Sequence, residues 1–303
     1  MSSCHRKEKE PLPSQPDNQT LTQAEDNNDL KGESDQINSE VNDAIGNFAS
    51  LSGGRLAVAA AKKSICGCSI DSALLGSRVL VLNFDGVTPC GSPSRTRAGS
   101  IRVELLAGNH WAEPGALLKI SHRNYKVTRL RDSRSWTFNG DKFLRNVNGT
   151  NWAGFLTGTD SLLYRERSSN MSVLFESGAT ANYQLARTTS WKVIRKPGIT
   201  DFIQFAAMGD TIIAGQPGID TWGTNRFGTA FTTFYNKRLT SNTYCQVWRP
   251  VGGELVHKAG GHILTLNLGV NEQGNPDTRD CAYGWKLRWE LAGGQSGEKI
   301  FSY

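Results

Sequence analysis

The chain has 303 residues, 38% of them hydrophobic and 20% charged, and a net charge of +6. That length buries a sizeable core in one large domain or two smaller ones, and the 32 Gly and 8 Trp lean toward strands joined by turns. No stretch approaches the ~18 apolar residues of a membrane-spanning helix, and the six cysteines are too sparse for a disulfide scaffold.

The charge is uneven. Residues 1–50 carry ten acids and four bases, a balance of −6; from totals of 28 and 34 this leaves 18 acids and 30 bases, a balance of +12, in residues 51–303. A basic body attracts nucleic acid, anionic glycan or a charged membrane surface. The bases are scattered along alternating segments without a binding motif, so nucleic acid is not an expected partner.

At the front, Ser2-Ser3-Cys4 followed by His5-Arg6-Lys7 has the form of a lipoprotein cleavage site, without the apolar stretch that should precede it. The expectation is that the written start lies inside a signal peptide and that Cys4 carries a lipid. Residues 5–35 are polar and acidic, with prolines at 11, 13 and 16. Such a segment buries too little to offset its ordering entropy and reads as a disordered tether. Ile37, Val41, Ala44, Ile45 and Phe48 then fall at helical spacing, which predicts one short helix within residues 36–63.

From residue 64 the period changes to two. Val79, Val81 and Phe84 open a strand, and Ile101, Val103 and Leu105 alternate with Arg102 and Glu104. Further strands are predicted at Leu118–Ile120, Tyr125–Val127 and Trp136–Phe138. Val173–Glu176 and Ala181–Leu185 flank the hairpin signal Ser177-Gly178. Trp191–Val193 and six more short segments up to Trp285–Leu291 complete the series. The expected fold is all-β, an antiparallel sandwich or open barrel-like sheets over residues 64–303, with two β units and a boundary near 170–200 as a variant.

Asn83-Phe84-Asp85-Gly86, then Cys90, then Arg95-Thr96-Arg97-Ala98-Gly99-Ser100-Ile101 resembles a hallmark of an uncharacterised β-rich lipoprotein family of Bacteroidota cell envelopes. Ser177-Gly178-Ala179-Thr180 with Arg187-Thr188-Thr189-Ser190-Trp191 is similar to that family's hairpin and Arg-to-Trp strand. Cys245 to Gly253 and Cys281 are similar to its closing segment. The resemblance covers roughly residues 64–291 and the tether. The chain departs from it in lacking the signal peptide's apolar core, in Ser177 where Asp is usual, and in a longer final loop, Asn275 to Asp280. The resemblance implies an outer-membrane lipoprotein with a β body, and no chemistry.

An exported chain meets an oxidising compartment, where neighbouring thiols pair. Cys245 with Cys281 is the first expected disulfide, and Cys66 or Cys68 with Cys90 the second, Cys68 with Cys90 being carried forward. A metal held by Cys66, Cys68 and a histidine is the weaker reading, and no cofactor is expected. The histidines at 5, 110, 122, 257 and 262 match no metal-ligand pattern, and nucleophile-elbow and phosphate-loop motifs are lacking. Glu104, Glu176 and Glu254 read as solvent-facing strand positions rather than a hydrolase pair. The oxygen-rich loop Asn271 to Asp280 lacks EF-hand spacing and reads as an ordinary loop rather than a calcium site. Trp111, Trp152 and Trp222 fall in Gly- and Asn-rich segments, which makes them the candidates for stacking against a glycan. The expected role is a lipid-anchored, non-enzymatic binding or structural module of the cell envelope, periplasmic or surface-facing, with a glycan or envelope protein as partner. A carbohydrate-binding or adhesive module is the alternative, and a hydrolase the weaker one.

Overall fold

The computed structural model describes residues 18–53, 64–91, 94–157, 161–195, 198, 201–247 and 249–303. Among these, fifteen strands form one antiparallel sheet. In chain order they are β1 (Cys68–Asp71), β2 (Val79–Asp85), β3 (Arg95–Ala107), β4 (Leu117–Arg129), β5 (Ser135–Asn146), β6 (Ser161–Phe175), β7 (Thr180–Ile194), β8 (Phe202–Gly209), β9 (Thr211–Ile213), β10 (Gln216–Thr224), β11 (Ala230–Asn242), β12 (Gly252–Ala259), β13 (His262–Val270), β14 (Gly284–Glu290) and β15 (Ser296–Ser302). Three α-helices accompany them: α1 (Asn18–Gly46), α2 (Ala49–Ser52) and α3 (Trp152–Thr157).

The fold is all-β, and of the two architectures expected it is the open barrel-like one. Each strand pairs with the next from β1 to β7 and from β10 to β15. Between these runs β8 and β10 share one place in the sheet. β10 pairs with the first half of β7 (Asn182–Leu185), and β8 pairs with its second half (Arg187–Ile194). Among the described residues the strands on either side of residues 170–200 therefore belong to one sheet.

The principal departure from expectation is α1. It spans 29 residues, about 43 Å, and takes in residues 18–35, which read as disordered tether in the sequence. Its mean hydropathy is low and Gly32 sits in its middle, so intrinsic propensity does not hold it. Tertiary packing does. Gln23, Asp26, Glu33, Ile37, Glu40 and Ala44 are buried, and with half-buried Leu30 they recur at alternating steps of three and four. This is one continuous helix face. Every seventh residue of that face, Asp26, Glu33 and Glu40, is an acid rather than an apolar residue.

The sheet wraps this helix. Within the single turn Glu33–Asp35, α1 touches Arg95 on β3, Tyr125 on β4, Lys142 on β5 and Arg187 on β7, which a flat sheet with strands ~4.8 Å apart cannot bring together. A seam of bulges supplies the bend. The register slips between Ala98 and Ser100 on β3, His122 and Tyr125 on β4, Asn139 and Asp141 on β5, and Arg167 and Met171 on β6. Each slip holds a residue in the left-handed region: Gly99, Asn124, Gly140 and Asn170. Such bulges sharpen strand twist and turn sheet corners. The inward side chains, among them Leu80, Leu82, Ile101, Val103, Leu118, Ile120, Tyr125, Phe138, Leu162 and Val173, form the main core with Ile37, Val41 and Ile45 of α1. A second, smaller cluster of Ile219, Phe234 and Val256, flanked by Ile213, Trp222 and Ile263, lies on the opposite, outer face, partly beneath β9.

Candidate functional site

The largest concentration of ionisable groups lies between α1 and the sheet. Arg97 donates to both carboxylate oxygens of Glu40 at 2.6 Å and to the carbonyl of Cys66 at 2.8 Å. Tyr125 donates to Glu33 at 2.6 Å. Arg226, in the β10–β11 turn, grips Asp26 through two nitrogens at 2.6 Å, and Arg134 reaches the same carboxylate at 3.2 Å. Arg187 is fully buried, bidentate to Asp220 at 2.5 and 2.7 Å, and reaches Asp35 at 3.3 Å. Lys142 pairs with Glu166 at 2.9 Å, and Asn38 donates to the same carboxylate at 3.1 Å. Burial pushes the Glu166 carboxyl upward, but the Lys142 and Arg187 cations and the Asn38 amide outweigh it and hold the group at about 2.

These contacts consume much of the charge asymmetry of the sequence. The basic body meets its acid inside the molecule, where each clustered carboxylate already has a cation or donor. The network is structural in geometry. A cavity beside it, lined by Ser34, His122, Lys142, Ser168 and Met171, holds about 10 Å³, room for a water-sized molecule. His122 lines it as a neutral imidazole, burial and the nearby Lys142 lowering it to about 3. Among the described residues no group of three or more His, Cys, Asp or Glu is placed to hold a metal ion.

The expected site residues scatter. Cys4 lies outside the described residues. Cys245 pairs with Cys281 as expected, and Cys66 pairs with Cys90. Cys68 is therefore not the partner of Cys90; it is a free thiol. The reason is strand alternation. Cys68 opens β1 opposite Phe84, where its side chain packs against the core, whereas Cys66 sits in the preceding turn on the side of Cys90. Burial raises the Cys68 thiol to about 11, so it is no nucleophile. Two disulfides are the mark of a protein that matures outside the reducing cytosol, in an extracellular or periplasmic setting. No helix of the described residues is long and apolar enough to cross a membrane.

Trp111 is not available for stacking. It is 1% exposed and donates its indole N–H to Asn42 of α1 at 2.8 Å, next to Tyr164. The Gly- and Asn-rich loop that suggests exposure in the sequence is folded inward against the helix. Trp152 begins α3, and its side chain lies outside the described residues. Trp222 belongs to β10 rather than a loop, half-buried on the outer face. Glu104, Glu176 and Glu254 take separate partners: Arg102, Arg226 and the amides of Asn236 and Asn267. In the Asn271 to Asp280 loop, Arg279 occupies the carboxylates of Asp277 and Glu272, so a guanidinium stands where a calcium ion was the alternative.

No family model, curated protein or solved structure matches this chain. The site must be read from its own geometry.

Trp222 lies on the outward face of the sheet. It pairs with Thr232 on β11, which pairs with Lys258 on β12, so the three share one row. His257, the neighbour of Lys258, contacts Gln23 of α1, which places that row on the outer face. The ends of β11, β12 and β13 form an open, shallow groove of about 410 Å³ around the Gly260-Gly261 turn, to which Thr232, Lys258 and Ile263 contribute from the outer face and Phe231, Ala259 and His262 from the inner one.

Proposed function

We propose that the chain is a lipid-anchored cell-envelope protein, held through Cys4, whose β body is a non-enzymatic binding or structural module. The observation that carries this reading is the pair of disulfides, one beside β1 and one before β14, which staple both ends of the sheet in a protein that passes through an oxidising compartment. Ser2-Ser3-Cys4 supplies the small residues that lipid attachment requires. Two or three acyl chains, at about 0.8 kcal/mol per buried methylene, anchor a protein durably. The sealing of the lumen by α1 supports a binding rather than a catalytic role, since it leaves the outer face to receive a partner.

Detergent partitioning of the protein expressed from its full locus tests the anchor, together with the intact mass of the N-terminal peptide. Recovery in the detergent phase and an acyl mass on Cys4, both abolished by Cys4→Ser, are expected. Recovery in the aqueous phase with an unmodified cysteine refutes it. The outer membrane is the expected location, with a glycan or protein of the envelope as partner.

A further inference from the structure

The outer face of β5 to β8 is basic. Arg145 on β5 lies directly opposite Arg165 on β6, Arg165 opposite Thr188 on β7, and Thr188 opposite Met208 on β8, so the four form one row. Leu144 belongs to the main core and Glu166 faces Asn38 of α1, which turns their neighbours Arg145, Arg165 and Arg167 outward. Lys192 follows Trp191, which packs on that core, and so points outward from β7 as well. From the far side, Arg238 of β11 reaches across β8 and donates to the Ser190 hydroxyl at 2.8 Å. All five bases are exposed. Among the described residues the acid paired with them is Asp210, 3.5 Å from Arg165 and 3.1 Å from Arg167. Like charges directly opposite on a sheet cost stability, so folding does not account for Arg145 against Arg165.

We propose that this face docks on an anionic lipid surface, the bases meeting headgroup phosphates and Met208 and Ile212 entering between the headgroups. Met208 and Ile212 stand on either side of Asp210 in the chain and are 38% and 68% exposed. Exposed clusters of basic side chains are the usual mark of attraction to anionic lipids. The five bases need not converge, because a charged membrane offers a phosphate to each. They spread over the five strands β5, β6, β7, β8 and β11, about 19 Å at ~4.8 Å per strand, and ~13 Å along β7 from Thr188 to Lys192. Such breadth fits a surface, whereas a linear polyanion follows a narrow basic groove. The acyl anchor holds the chain at a membrane; this face sets which side of the β body lies against it.

Vesicle flotation of the full chain carrying Cys4→Ser tests the face without the acyl anchor. Vesicles of equal parts phosphatidylglycerol and phosphatidylcholine are expected to carry the protein at about 0.1 M salt and to release it at about 0.5 M, where charges are screened within about 4 Å. Vesicles of phosphatidylcholine alone are expected to carry none. Arg145→Gln with Lys192→Gln and Arg238→Gln should weaken binding about a hundredfold, at about fivefold per base. Arg145→Lys with Arg238→Lys should retain it, which separates charge from folding. Lys258→Gln with Arg288→Gln and Lys299→Gln, on β12, β14 and β15, removes the same charge elsewhere and should change binding by less than about threefold. Equal losses in the two triple variants overturn the face in favour of diffuse charge. Failure to float with anionic vesicles, equal flotation with both kinds, or flotation insensitive to salt overturns the contact. Saturable binding to duplex DNA or polygalacturonate without flotation assigns the bases to a linear polyanion and overturns the membrane reading. None of these results bears on the acyl anchor, which detergent partitioning of the native protein judges.

Discussion

Glu166→Gln exposes what the ion-pair network between α1 and the sheet contributes. The Glu166 and Lys142 side chains are 2% and 3% exposed, with Oε1 and Nζ 2.9 Å apart. The carboxyl titrates at about 2 in the folded protein against an ordinary 4.5. The unfolded chain thus takes up the proton first as pH falls. Its contribution, on the order of 3 kcal/mol, is fully present above pH 4.5 and is lost between there and 2. Gln keeps the shape and removes the charge, leaving the Lys142 ammonium without its counterion, beside neutral acceptors such as the Ser34 carbonyl and hydroxyl at 3.3 and 3.0 Å. Removing one partner of a buried pair costs about 3–5 kcal/mol, which lowers Tm by about 8–15 °C in a domain this large. Glu166→Gln with Lys142→Met removes both charges and should recover most of that loss. Urea titrations at pH 7, followed by tryptophan fluorescence and far-UV circular dichroism, close the double-mutant cycle. A Glu166→Gln protein within about 1 kcal/mol of wild type, or a double variant as unstable as the sum of the two singles, refutes the coupling.

Three more outcomes follow from the structure. Burial lowers His122 to about 3, with help from Lys142, and His257 to about 4. The unfolded state protonates first, so each imidazole removes about 2 kcal/mol of stability as pH falls from 6.5 to 5, and His257→Asn should reduce that slope in urea titrations across the interval; an unchanged slope contradicts it. Cys245 and Cys281 close a loop with a sequence separation of 36, and Cys245→Ser with Cys281→Ser should cost about 4 kcal/mol by loop entropy, checked by the urea midpoint. Gly99 has φ +84°, and a Cβ there would lie 2.1 Å from the Asn124 carbonyl oxygen. Gly99→Ala should therefore destabilise by more than about 1 kcal/mol in thermal melts, whereas Gly178→Ala, in an open turn, should cost less.

The strands were legible wherever the inward positions are apolar. Val79 to Phe84, Ile101 to Leu105 and the Ser177-Gly178 hairpin fall inside or between β2, β3, β6 and β7 as their alternation predicts. Legibility failed where charge faces inward. Lys142, Glu166 and Arg187 are buried strand residues, and each interrupts the apolar pattern that would have shown the full lengths of β5, β6 and β7. The same cause hid α1. Its buried face carries Asp26, Glu33 and Glu40, so a hydropathy reading finds only the last apolar stretch, Ile37 to Phe48. Trp222 was legible as a candidate, but the outward row it shares with Thr232, Lys258 and Ile263 is not, since that row exists only through pairing across β11, β12 and β13.

The acids of α1 also fix its position along the sheet. An apolar stripe of helix tolerates sliding by a turn, because one Leu replaces another against the same wall. Here the acids recur every seven residues and each meets its own cation or donor: Asp26 with Arg226 and Arg134, Glu33 with Arg95 and Tyr125, and Glu40 with Arg97. A slide of three or four residues exchanges acids for Gln23, Leu30, Ile37 and Ala44, which leaves Arg97 buried without a counterion and drives Glu33 and Glu40 against apolar side chains. At about 3–5 kcal/mol for each buried charge left unpaired, one misplaced pair exceeds the stability lost in most single mutations. The acidic front of the sequence and its basic body are thus two halves of one register device.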